Sequence, residues 1–209
     1  VNLRERVLAA VPTDGSAPET EAVELEDIVL DDEPLDTWLE ERSADGLAVY
    51  LTGNAGPGQG DVVALAIVDK QRHAVSKLAA DLSAKEDAAL KRWLESDAPK
   101  FMHEAKAAYH MLLGRGIELA GVAHDTAIAA YLLRPGQRTY ALEDIYQRHL
   151  QRQLNVGSDQ MSLLGDTADT DAAAAILELS AELAKELREI NSYELYADLE
   201  LPLVTVLAE

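Results

Sequence analysis

The sequence predicts an α/β protein in which a mixed sheet is flanked by helices. Three observations carry that reading. Two apolar, β-prone runs, Gly46 to Thr52 and Asp61 to Asp69, stand either side of the turn-forming GNAGPGQG. From Ser83 onward the apolar spacing is helical almost throughout. A short β-prone stretch, Glu118 to Val122, interrupts those helices, so a strand is inserted late into a sheet that began antiparallel. At 209 residues and 48% hydrophobic content, the chain buries one sizeable core.

Taken in order, residues 1–20 read as a linker, because Pro12, Asp14-Gly15 and Pro18 break the short helical start. Ala22 to Leu30 alternates apolar and acidic residues and reads as an edge strand or an extended linker. Asp36 is placed to cap a short helix, DTWLEERSA, that stops at Asp45-Gly46. After the two long strands, His73 to Leu78 gives a third. Helices are expected over Lys85 to Glu95, roughly Ala98 to Arg115, Thr170 to Glu189, and from Tyr193 onward.

Between them lies a helix pair, HDTAIAAYLLRPGQRTYALEDIYQRHL, from His124 to Leu150. Asp125-Thr126 caps its first helix, Pro135-Gly136 stops that helix, and Thr139 precedes the second. Glu143 and Asp144 then fall where the macrodipole favours acids. The Ala172 to Ala175 run is read first as high helix propensity, with close helix packing as the second reading.

Composition excludes several functions. There is no Cys, hence no disulfide framework and no thiolate zinc site. No apolar run is long enough for a membrane span, and VNLRERVLAAVP is too charged for a secretory signal, which makes the cytoplasm the expected compartment. A net charge of −20 disfavours tight DNA binding by this chain alone, since DNA-gripping surfaces are basic. GNAGPGQG joins two strands and lacks the Lys-Ser/Thr of a phosphate-binding loop, and no G-x-S-x-G elbow occurs.

The helix pair, with its lead-in LGRGIELAGVA, resembles the 3′ to 5′ exonuclease domain of bacterial DNA polymerase I, the family A polymerases, of the actinobacterial type. YELYADLELPLVTVLAE, from Tyr193 to Glu209, is similar to the helix that leads from that domain into the polymerase domain. The resemblance implies a ribonuclease H-like fold of the DnaQ-like exonuclease kind. It divides the chain into a linker from a preceding domain (1–20), the exonuclease-like domain (21–190) and the start of the connecting helix (191–209).

The same resemblance implies a site with two divalent metals held by carboxylates, and those positions are altered here. The first-strand Asp and Glu become Tyr50 and Thr52, and the middle Asp becomes Ala108. In the last motif Ala168 replaces the Tyr, and the final Asp becomes Ala172, or Asp171 if the register slips by one. Hard cations need charged oxygens, so the expectation is a degenerate site with no metal or cofactor in this domain. Mg²⁺ is then expected only in the polymerase domain of a parent enzyme.

The implied partners are the intramolecular polymerase and 5′ nuclease domains of a monomeric enzyme, with DNA met through the parent and no membrane. Two alternatives stand beside this. One is an active exonuclease using the displaced acids Asp45, Asp61, Asp166, Asp169 and Asp171; the other is a free-standing acidic interaction module. Asp45, Asp61 and Asp69 otherwise read as turn or surface residues at strand ends. His103 and His110, seven apart on one expected helix, read as satisfied or exposed rather than as ligands. Arg134, Arg138, Arg148 and Arg152 form a local basic cluster expected to pair with acids, and Trp38 and Trp93 read as core.

Overall fold

The computed structural model describes residues 28–56, 58–154 and 167–206. Their frame is a six-stranded mixed sheet. In chain order its strands are β1 (Val29–Leu30), β2 (Leu47–Asn54), β3 (Asp61–Val68), β4 (His73–Leu78), β5 (Lys100–Met102) and β6 (Val122–Asp125). Their spatial order is β1-β4-β3-β2-β5-β6. β2, β3 and β4 form an antiparallel meander, β5 and β6 add in parallel beside β2, and β1 lies parallel to β4 at the far edge.

Strand alternation sends side chains to two cores. Leu47, Val49, Leu65, Ile67 and Val75 face α1 (Leu35–Arg42), α2 (Ala84–Leu94) and α3 (Ala105–Leu113). Ala48, Ala66, Val68 and Ala74 face α4 (Thr126–Leu133), α5 (Leu142–Leu150) and α6 (Thr167–Glu189). On this second face Ala172 to Ala175 are all buried, so small side chains meet on both sides and bring helix and sheet backbones close. Close packing, and not propensity alone, explains that run.

Several boundaries correct the sequence reading. Ala98 to Arg115 is not one helix: Lys100–Met102 is a strand, since Leu47 pairs with Lys100 and Ala48 with Phe101 between β2 and β6. Sheet pairing outweighs local helix preference there. Lys100 is fully buried, donates to the Ser96 and Ala98 carbonyls at 2.9 Å each, and lies over the Trp93 ring. The late strand spans Val122–Asp125 instead of Glu118 to Val122, because the chain turns at Gly121, with φ +68° and a Cβ site 2.5 Å from the Ala98 carbonyl.

Asp36 does not cap α1. Pro34 takes that position, and Asp36 sits buried in the first turn, ion-paired with Lys85. The free amide of Leu35 instead donates to Glu86 of α2 at 3.0 Å. Thr139 likewise holds the turn before α5, accepting from the Ala141 amide, while Ala141 is the N-cap residue. α4 does end before Pro135-Gly136, and Gly136 has φ +80°. The last helical segment runs through α7 (Tyr193–Leu195), a π-helical turn (Tyr196–Glu200) and α8 (Leu201–Val206). The expected linker 1–20, most of the 22–30 stretch and Asp166 lie outside the described residues.

Candidate functional site

A cleft of about 670 Å³ opens where β2 and β5 meet the start of α3 and the loop before α5. Tyr50 and Thr52 reach it from β2, Ala108 from α3, and Tyr140 and Glu143 from the α5 end. Alternation explains the first pair: residues two apart on a strand share a face. Three sequence-predicted positions, Tyr50, Thr52 and Ala108, are therefore brought together. Ala168, Asp171 and Ala172 of α6 do not line the cleft, and Ala172 is fully buried against the sheet.

Tyr50 lies half-buried in the wall of the cleft. Burial pushes its phenol above the ordinary range, and the negative charges of Asp169, Glu143 and Glu104 add to that shift. Glu104 and Glu143 were not singled out as site acids by the sequence. Glu104 stands at the turn into α3, and Glu143 looks like an ordinary first-turn acid. Glu104 adopts a left-handed conformation, φ +52°, which turns the chain from β5 into α3.

Asp125 lies at the end of β6 with 1% exposure. It caps α4 as expected, accepting from the Ala127 and Ile128 amides at 2.9 and 3.3 Å. It also caps α3, accepting from Ala105 at 2.7 Å and Glu104 at 3.3 Å. One carboxylate thus fixes two helices whose ends adjoin the cleft. The Tyr196 hydroxyl secures the backbone of Asp125, accepting from its amide at 2.7 Å and donating to its carbonyl at 3.3 Å.

His103 and His110 do not share a helix. His103 precedes α3 and bonds the Thr126 hydroxyl at 2.8 Å, and burial pushes its pKa down to about 4, as it does for His124. Both rings are neutral at pH 7, and His124 packs on Tyr196.

The other acids stand apart. Asp45 lies before β2 and Asp61 pairs with Asn54 at the far end of that strand, where it accepts from the Val62 amide. Asp69 holds the β3–β4 turn through the Gln71 and His73 amides, as a turn residue should, but it is buried and not on the surface. Arg152 joins Arg72 and the Tyr146 hydroxyl on Glu178, while Arg138 lines the cleft. Trp38 and Trp93 are buried in the core as expected.

The two-metal chemistry of the resembling family does not fit these residues. A phenol, a threonine hydroxyl and a methyl group offer no charged oxygen at the three positions that meet in the cleft. Among the described residues, no three His, Asp or Glu side chains are grouped so as to hold a metal ion.

The family model for the ribonuclease H-like domain of DNA polymerase I matches residues 55–161, just over half of the chain. The chain belongs to this family. DNA polymerase I of Mycobacterium tuberculosis is 39% identical over 99% of this chain and 24% of its own length, and that of Bacillus subtilis 31% identical over 60% and 16%. The chain thus spans about a quarter or less of these relatives. Among solved structures, the POL domain of Pol1 from M. smegmatis, in complex with DNA primer-template and dNTP, superposes with a TM-score of 0.76 at 38% identity, covering 86% of this chain and 31% of that one. Escherichia coli RNase D, an exoribonuclease, shares the fold at a TM-score of 0.68 and 16% identity, over 87% and 50% of the two chains. The domain has the ribonuclease H-like exonuclease fold. Among the described residues, no helix is long and apolar enough to cross a membrane.

Proposed function

We propose that this chain is a catalytically silent 3′ to 5′ exonuclease-like domain of a DNA polymerase I, kept as a structural part of a replication and repair enzyme without proofreading of its own. The observation that carries the reading is the wall of the cleft, where Tyr50, Thr52 and Ala108 meet. Phosphodiester hydrolysis by two metals needs ligands that bind both ions and offset the phosphate charge. Here the surrounding acids raise the Tyr50 phenol's affinity for its proton, and their charge repels a phosphate. The parent chain extends DNA with Mg²⁺ in its polymerase domain, and this acidic part contributes position and not grip on DNA.

The competing reading, hydrolysis by displaced acids, is favoured by one feature: Asp169, Glu143 and Glu104 all act on Tyr50. The parent enzyme, incubated with a 5′-labelled primer ending in a mismatch and with Mg²⁺ or Mn²⁺ but no dNTP, separates the two. The primer is expected to keep its length. Shortening that disappears in Asp169→Asn would establish the competing reading.

A further inference from the structure

A second cleft, of about 530 Å³, opens between α3, the start of α4 and α8. Glu104 and Ala107 line both this cleft and the cleft of Tyr50, and so stand between the two. Its apolar surface comes from Ala107, Ile128 and Val204, and its charged or polar groups are Glu104, Glu200, Lys106 and His110. Asp125 also lines it, but that carboxylate is spent on four backbone amides.

The other four groups are not spent. Among the described residues, none of Glu104, Lys106, His110 and Glu200 has an ion pair or a side-chain hydrogen bond. Lys85, Lys91, Arg115 and Lys185, by contrast, are each paired with an acid, as a chain of net charge −20 allows. Lys106 and His110 are four apart on α3 and share one face of that helix. Glu104 precedes α3 in a left-handed conformation, and Glu200 ends the π-helical turn of another element. Unpaired donors from one element and unpaired carboxylates from two other places thus meet over one apolar surface.

We propose that this cleft binds a small zwitterion with an apolar body, namely an α-amino acid with a large apolar side chain. Charge complementarity selects that occupant. A simple anion would be held by Lys106 and repelled by two carboxylates, and a simple cation would meet the reverse conflict. A zwitterion satisfies both sets: its carboxylate accepts from Lys106 and His110, and its ammonium donates to Glu104 and Glu200. The side chain then covers Ala107, Ile128 and Val204. A volume of about 530 Å³ lies within the roughly 300–1,000 Å³ of small-molecule sites, which pair apolar walls with a few polar groups.

The test is saturation-transfer NMR on the full-length protein that carries this chain, without DNA or metal, using phenylalanine as the probe. Two analogues each lack one charge: 3-phenylpropanoate has no ammonium and phenethylamine has no carboxylate. Transfer is expected to phenylalanine and to neither analogue. Lys106→Met and Glu200→Gln should each weaken phenylalanine binding at least about tenfold, since each removes a hydrogen bond to a charged group. Lys70→Met, at an exposed position in the β3–β4 turn, should leave it unchanged. No transfer to phenylalanine, equal transfer to all three compounds, or a loss in Lys106→Met no greater than in Lys70→Met would overturn the proposal. Because neither DNA nor metal is present, each of these results leaves the reading of the Tyr50 cleft untouched.

Discussion

Asp125 shows how much one side chain organises. It accepts four backbone amides from the starts of α3 and α4, in a place closed to water. A single lost cap costs about 1 kcal/mol, and buried amides left without an acceptor cost more. Asp125→Ala is therefore expected to lower stability by about 2–4 kcal/mol, and Asp125→Asn by clearly less, read from urea midpoints. Equal losses in both variants would mean that charge, not acceptor geometry, is what the site requires. Lys100 supplies a second test at this scale. Burial lowers its pKa to about 8, so between about pH 8 and the ordinary lysine value of 10.5 the unfolded chain holds a proton that the folded chain has released. Stability should rise with pH from 7.5 to 9.5, below the range where tyrosines titrate, and Lys100→Met should flatten that rise in thermal melts.

At the level of elements, Glu86 joins two helices. Its carboxylate caps α2 in a reciprocal box with Ser83 and reaches across to the first amide of α1, and these bonds hold its pKa at about 2. A depressed folded pKa contributes stability that is complete above the unfolded value of 4.5 and is lost as pH falls toward 2. Glu86→Gln should remove that part of the acid sensitivity, so the two proteins' melting temperatures should converge as pH drops from 5 to 2.5. Ser83 and Glu86 follow the capping-box pattern at the start of a predicted helix, but the second use of Glu86 on Leu35, 51 residues away, is a tertiary fact that spacing does not carry. The same divide runs through the rest. β2, β3, β4 and the helix pair are long or well punctuated and stand where they were expected. β5 is three residues of a locally helical stretch, a strand only because its neighbours pair with it. In the site, Tyr50, Thr52 and Ala108 were legible through their motif positions. Glu104 and Glu143 were not, since their closeness to Tyr50 depends on a left-handed turn and on how α5 docks.

For the whole molecule, two layers of helices on a mixed sheet frame a cleft in which Tyr50, Thr52 and Ala108 offer no charged oxygen. Asp125 and Tyr196 tie the helices beside the cleft to the helical segment that leads away from it. This link suggests that loosening one end should be felt at the other. Tyr196→Phe removes both hydroxyl contacts to Asp125 and is expected to cost about 1–2 kcal/mol, with hydrogen exchange accelerating together in residues 193–206 and in the first turn of α3. Acceleration confined to 193–206 would show that the segment is not coupled to the cleft. Whether the cleft holds catalytic metals is decided by a crystal structure of the protein soaked with Mn²⁺ and a nucleoside monophosphate. No manganese is expected between Tyr50, Thr52 and Ala108. An ion coordinated there by Glu104, Glu143 and Asp169, with the nucleotide phosphate upon it, would contradict that expectation.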